Sequence, residues 1–192
     1  VLFRSSGVRY DLILHDSGDD SINTRNMAYL RELIINHVSG RLKVAPEHTS
    51  DAVLQLMRKP SFSLFYEFKS LFDEINRRNH LREQLIPYFI SSHPGCHSED
   101  MAELACETKR LNFHLEQVQD FTPTPMTVST EMWYTGLHPY TLEPVYSAHH
   151  AKEKEVQKMF FFWYKKEMRN AIIQELKKIG RPDLISYLLN DK

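Results

Sequence analysis

The sequence has 192 residues, 42% of them hydrophobic and 26% charged, with a formal net charge of −1. That is enough chain for one sizeable core and at most two small ones, and the balance excludes a disordered, low-complexity protein. The lack of net positive charge argues against nucleic-acid binding driven by bulk electrostatics, and no apolar run approaches the roughly 20 residues of a membrane helix. The two cysteines, Cys96 and Cys106, form no Cys-x-x-Cys pair, which points to a reducing, cytoplasmic setting.

In chain order, residues 1–5 are a short apolar run that reads as a strand. Opening on a strand, the sequence is expected to be the later part of a longer protein. Residues 23–38 place Met27, Leu30, Leu33, Ile34 and Val38 at helical spacing, with Gly40 as a stop. Residues 42–45 read as a second strand closed by Pro46, and 51–57 as a short helix halted before Pro60. Residues 63–79 predict a longer helix with Leu64, Phe68, Leu71, Phe72 and Ile75 on one face. Residues 85–91 are apolar almost throughout, as expected of a strand buried on both faces. His93-Pro94-Gly95 turns the chain, and Ser98 is placed to cap a helix over 99–111. Residues 115–121 are the fourth strand candidate.

Strands alternating with helices predict an α/β fold with parallel pairing through crossovers, and four such strands are half of an eight-stranded (βα) barrel. An open doubly wound sheet is the alternative, although no Gly-rich phosphate loop announces one. After residue 125 the pattern changes. Residues 130–144 read as an aromatic-rich loop without periodicity, whose aromatics from Trp133 to Tyr140 are expected to pack rather than to line a pocket. Residues 152–164, 166–179 and 182–189 read as helices. Two regions follow: 1–125 with the βα units, and 126–192 as a mainly helical C-terminal extension.

The site of a parallel barrel lies at the C-terminal ends of its strands, so the loops at 6–11, 46–51, 92–98 and 122–127 hold the candidate functional residues. His48, His93 and His97 would stand on neighbouring strand ends and are candidates for a zinc or iron site, although no His-x-His or paired-carboxylate motif supports one. Cys96, beside His97, is a candidate nucleophile only if some group orients it, and otherwise an ordinary loop cysteine.

Several segments together resemble radical SAM enzymes. Residues 42–60, reading Leu-Lys-Val-Ala-Pro-Glu-His-Thr-Ser-Asp-Ala-Val-Leu-Gln-Leu-Met-Arg-Lys-Pro, have the layout of that superfamily's fifth-strand region. The methylthiotransferase branch reads Gln-Ser-Gly-Ser-Asp-x-Val-Leu-x-x-Met-x-Arg there. Residues 85–98 resemble the sixth strand and its Gly-x-Pro-Gly turn. The YgiQ-type (UPF0313-like) radical SAM proteins are similar in more detail. Their segments are matched by Ser-Gly-Val-Arg-Tyr-Asp at 6–11, Lys-Val-Ala-Pro-Glu-His-Thr at 43–49, Ser-Ser-His-Pro-Gly at 91–95 and Gln-Asp-Phe-Thr-Pro-Thr-Pro-Met-Thr at 119–127. The tail, with Met-Trp-Tyr-Thr-Gly-Leu-His-Pro at 132–139 and Ile-Gly-Arg-Pro-Asp-Leu-Ile at 179–185, resembles the same family's C-terminal extension.

The resemblance implies the later half of a partial TIM-type (βα) barrel of radical SAM type. It implies an enzyme that reductively cleaves S-adenosylmethionine at a [4Fe–4S] cluster to a 5′-deoxyadenosyl radical. An electron donor would serve the cluster, and the substrate is not identified. The cluster's Cys-x-x-x-Cys-x-x-Cys loop is not in this sequence, so no metal ligand is expected here and this portion alone should be inert. The implied cofactor contacts begin with Glu47, at the position of a glutamine that meets the ribose. Lys59 stands where an arginine pairs with the cofactor carboxylate, with Arg58 beside it to supply the bidentate fork that lysine lacks. Pro94 and Gly95 would let backbone approach the adenine, and Arg9 and Asp11 would be further rim contacts. Two other classes compete: a non-catalytic binding module, and a metal-dependent hydrolase using His48, His93 and His97.

Overall fold

Apolar residues alternate along 41–47, and phenylalanine recurs at helical spacing at 65, 68 and 72. These two patterns build the first of two units in the computed structural model, which describes residues 7–115 and 118–190. This unit takes the described residues up to Glu47 together with 60–88. It opens with a one-turn helix, α1 (Tyr10–Ile13), and then α2 (Asp20–Asn36), whose N-cap Asp19 accepts a hydrogen bond from the Ser21 amide at 2.8 Å. Strand β1 (Arg41–Glu47) points Leu42, Val44 and Pro46 inward and its other residues outward.

In the second unit, residues 48–59 form α3 (Asp51–Leu56), after which α4 (Ser63–Arg78) returns to the first unit and buries Phe65, Phe68, Phe72 and Ile75. There α4 packs on α1 and α2, with Leu30, Leu33 and Ile34 facing it from α2's buried side. Tyr10 sets its ring 5.1 Å from Phe68 and 6.0 Å from Phe65. Burying this many aromatic and branched side chains at about 2 kcal/mol each is the main stabilisation of the unit.

Strand β2 (Gln84–Ser91) follows, and the three strands form a small parallel sheet in the order β1-β2-β3, where β3 is Gln119–Asp120. Ile90 and Ser91 stand in parallel register with Gln119 and Asp120. The chain is therefore α/β. Strand β2 buries one row fully and leaves the other row half-buried, where its near-continuous apolar run predicted two buried faces. Of the strand expected at 115–121, residues 119–120 form β3, and residues 116–117 lie outside the described residues. The strand expected at 1–5 lies outside the described residues, and Val8 just after it makes a single parallel bridge to Val44.

The second unit takes residues 48–59 and the described residues from Phe89 onward. Its centre is α5 (Ser98–Arg110), which buries Met101, Ala102, Leu104, Ala105 and Thr108 on one stripe. The residue capping α5 is His97, one position earlier than expected, with its amide donating to Asp100 Oδ2 at 2.9 Å. Residues 130–135, read from sequence as the start of an irregular loop over 130–144, belong to α6 (Val128–Thr135). Thr127 caps it and Gly136 ends it in the left-handed region, φ 69°. The aromatics here do not all pack: Tyr134 is 81% and Tyr140 66% exposed.

The tail continues as α7 (Ala151–Met159), 3₁₀ turns at Phe160–Phe162 and Lys166–Met168, α8 (Arg169–Lys178) and α9 (Asp183–Leu189). The helix expected over 152–164 ends early. Phe160 and Phe161 are both fully buried, and a tighter turn sends the two adjacent rings inward together, against α5. Helices α7, α8 and α9 also pack on α5, so the extension shares a unit with β3.

Candidate functional site

The chain leaves β2 through a turn that ordinary side-chain chemistry does not favour. Ser92 has φ 61° and Gly95 φ 83°, so two left-handed residues flank His93 and Pro94. The turn is held by one amide from the tail. Gln157, on α7 and 1% exposed, accepts from the Ser92 amide at 2.8 Å and donates to the Cys96 carbonyl at 2.8 Å. The Gly95 amide donates to the Tyr146 carbonyl at 2.7 Å. A Cβ on Gly95 would meet the end of the half-buried Leu56 side chain of α3, which would have to shift, and the left-handed φ is what favours glycine there.

At the end of the sheet, the parallel register sets Ser91 opposite Asp120. Ser91 Oγ donates to Asp120 Oδ1 at 2.6 Å, and Lys158 Nζ, from α7, meets Asp120 Oδ2 at 3.0 Å. This fixed, half-buried carboxylate lies where a βα fold presents its chemistry. Sequence reading passed over Ser91, Asp120, Gln157 and Lys158. The one available signal was a glutamine at 157, helically spaced with the apolar Phe160 and Phe161, since an inward amide must satisfy something buried.

The three candidate histidines are each engaged. His48 Nδ1 accepts from the Ser50 amide at 3.0 Å, which leaves the proton on Nε2, facing Cys96 Sγ at 3.5 Å. Burial lowers its pKa to about 4, so it is neutral. His93 Nδ1 lies 2.8 Å from the Pro94 carbonyl, which can only accept. The His93 proton is therefore on Nδ1, and Nε2 accepts from Ser129 Oγ at 2.8 Å. Burial lowers its pKa as well. His97 is exposed and stacks on Tyr146 with ring centroids 4.4 Å apart. The acceptor nitrogens of His48 and His93 are filled, and no group of three metal-binding side chains occurs among the described residues. Cys96 does acquire partners, the His48 ring at 3.5 Å and the His97 backbone carbonyl, to which its thiol donates at 3.8 Å. Burial nevertheless pushes its thiol well above the usual range, which is the reverse of activation.

The implied cofactor contacts fall in both units. Arg9 and Asp11, in the first, bind each other through a two-point ion pair at 2.8 and 2.6 Å. Glu47 ends β1 there with φ 68°. In the second unit, Arg58 sits left-handed at the end of α3. Its amide donates to Gln55 and that of Lys59 to Leu54, a Schellman cap built on arginine. The Arg58 guanidinium lies 5.0 Å over the ring of Tyr140. Pro94 is buried in the β2 turn beside Gly95. Three hydroxyls of this unit, Ser92 Oγ, Thr49 Oγ1 and Ser147 Oγ, are buried with no hydrogen-bond partner among the described residues, and the first two stand in the loops after β2 and β1.

Nearly the whole chain is similar to proteins named UPF0313 protein. The match is 69% identical over 97% of this chain and 30% of a relative from Bacteroides thetaiotaomicron, and 62% identical over 98% of this chain and 30% of one from Porphyromonas gingivalis. A relative from Methanosarcina mazei is 40% identical over 96% of this chain and 28% of its own length. The chain thus spans about 30% of the length of these relatives. Residues 116–190 match a family described as a domain of unknown function, DUF3362.

Proposed function

We propose that this chain is the C-terminal part of a UPF0313 protein of YgiQ type, and that the whole protein is a cytoplasmic radical SAM enzyme. In this reading the chain supplies the later half of the partial barrel and the family's extension. The observation that carries the proposal is positional: the His-Pro-Gly and Gln-Asp-Phe-Thr segments, which resemble that family, stand at the C-terminal ends of two adjacent parallel strands. The high identity to UPF0313 proteins, with about 30% of their length covered, is consistent with a chain that lacks the cluster-binding part.

The residues here do not fit the iron–sulfur cluster. Cys96 is buried beside His48, and Cys106 lies elsewhere on α5 with its thiol pushed up to about 11 by burial. No step through the cluster is assigned to this chain. The nucleoside end of S-adenosylmethionine fits better, because Ser92 Oγ and Thr49 Oγ1 are buried hydroxyls in need of a polar partner. Bound with its cluster, that cofactor would supply a 5′-deoxyadenosyl radical. The role of this chain's residues is positioning: Gln157 locks the β2 turn, and Ser91 with Lys158 holds the Asp120 carboxylate toward the rim.

The test is anaerobic reconstitution of the full-length protein with iron, sulfide and a low-potential reductant, followed by assay for 5′-deoxyadenosine. Formation of 5′-deoxyadenosine by the full-length protein and none by this chain alone is the expected result. A fully reconstituted protein that neither binds nor cleaves S-adenosylmethionine overturns the proposal. The hydrolase reading has no supporting geometry, because the histidines it needs are turned to other partners.

A further inference from the structure

A cleft of about 710 Å³ opens in the second unit between the end of α5 and the turns after α7. Its cationic lining is Lys109, Lys165, Lys166 and Arg169, and His114, Trp163 and Tyr164 form an aromatic wall. It has no acidic side chain in its lining among the described residues. In a chain of net charge −1 this is a local concentration. Residues 151–192 hold ten Lys and Arg against six Asp and Glu, whereas the rest of the chain is acidic.

The cleft is also a built site. Trp163 Nε1 donates to Thr108 Oγ1 at 3.1 Å and the Tyr164 hydroxyl to the Leu115 carbonyl at 2.6 Å, so both rings are fixed. Lys109 is committed to the Leu188 and Asn190 carbonyls at 3.0 and 2.8 Å, which ties α9 to the rim of the cleft. Lys166 and Arg169 are exposed and make no ion pair among the described residues, so they are the cations available to a ligand. The cleft lies at the C-terminal end of α5, whereas the β2 turn precedes its first residue. Thirteen residues of helix separate the two by about 20 Å.

We propose that this cleft binds a nucleoside phosphate: Lys166 and Arg169 take the phosphate, and the aromatic wall takes the base. A bare phosphate leaves most of this volume and the aromatic wall unused. An apolar ligand leaves adjacent cations without a counter-charge. A two-part ligand matches both halves, by charge-assisted hydrogen bonding and ring contact. The inference does not depend on the radical SAM reading.

The experiment titrates the intact chain, carrying Trp133→Phe so that Trp163 alone fluoresces, with AMP, adenosine and sodium pyrophosphate in separate arms. Saturable quenching by AMP, at least tenfold tighter than by adenosine or by pyrophosphate, is expected. The Lys166→Ala/Arg169→Ala pair should weaken AMP at least tenfold while leaving the far-UV circular dichroism and the thermal midpoint unchanged, because both side chains are exposed. Isothermal calorimetry provides a second readout in case the indole is insensitive. The proposal is overturned by no AMP binding in either measurement, by equal binding of pyrophosphate, by binding unchanged in the pair variant, or by a single-stranded oligonucleotide binding far more tightly than AMP.

Discussion

Replacing Gln157 with leucine keeps the volume of the side chain and removes its hydrogen bonds to the Ser92 amide and the Cys96 carbonyl. In the native chain this amide is 1% exposed and satisfies the Ser92 N–H and the Cys96 carbonyl, each at 2.8 Å. Leucine leaves a donor and an acceptor of the backbone buried and unpaired, at about 1–3 kcal/mol each, so the expected loss is about 2–6 kcal/mol. For a chain of this size that lowers the thermal midpoint by roughly 4–24 °C. Both tryptophans, Trp133 and Trp163, lie in the second unit, so their fluorescence during urea or thermal unfolding reports on the right part of the molecule. Gln157→Glu sharpens the test. Its carboxylate still accepts from Ser92 but faces the Cys96 carbonyl without a proton, so its folded pKa is raised above the unfolded value of about 4.3. The folded state then holds more protons, and stability relative to the native chain must recover as pH falls from neutral toward about 4. A Gln157→Leu variant that loses less than about 1 kcal/mol, or a Gln157→Glu variant with no acid recovery, refutes the argument.

Three further outcomes follow from the same unit. His48 is held neutral with a pKa of about 4, below its unfolded 6.5, so the unfolded state binds more protons between those values. His48 alone should therefore lower stability by about 3 kcal/mol as pH drops from 6.5 to 4, and in equilibrium unfolding His48→Gln should reduce that limb to the share left by His93, whose pKa burial also lowers; a flat native profile contradicts the burial. Gly95→Ala combines a left-handed φ with a clash against Leu56 and should cost about 2–4 kcal/mol. Leu56→Ala in the same chain should recover the steric share only, a coupling that a double-mutant cycle measures and that additivity would disprove. Cys96 should resist thiol reagents at pH 7.5 until the chain unfolds, because burial disfavours its thiolate; rapid labelling in the native state would show that the turn opens.

Local spacing in the sequence sufficed for the long helices, since an apolar residue every three or four positions leaves little choice of face. The residues of α2, α4 and α5 and the strands β1 and β2 could be read from it. It failed where two residues share one requirement. Phe160 and Phe161 must both turn inward, which ends α7 early, and the aromatic-rich stretch hid α6 because Tyr134 on that helix faces solvent. The loops after the strands were also legible, because in a parallel βα chain function collects there whatever the residues are. Their chemistry was not. His48, His93 and Cys96 look like ligands or nucleophiles in one dimension, yet the histidine protons are already placed by Ser50, Pro94 and Ser129, and the Cys96 thiol donates to the His97 carbonyl. Asp120 looked like one acidic residue among many until the parallel register set it against Ser91 and α7 brought Lys158 to its other oxygen. Composition and periodicity act along the chain and fix elements. Hydrogen-bond partners and burial act between segments 29 to 65 residues apart, and only the folded chain assigns them.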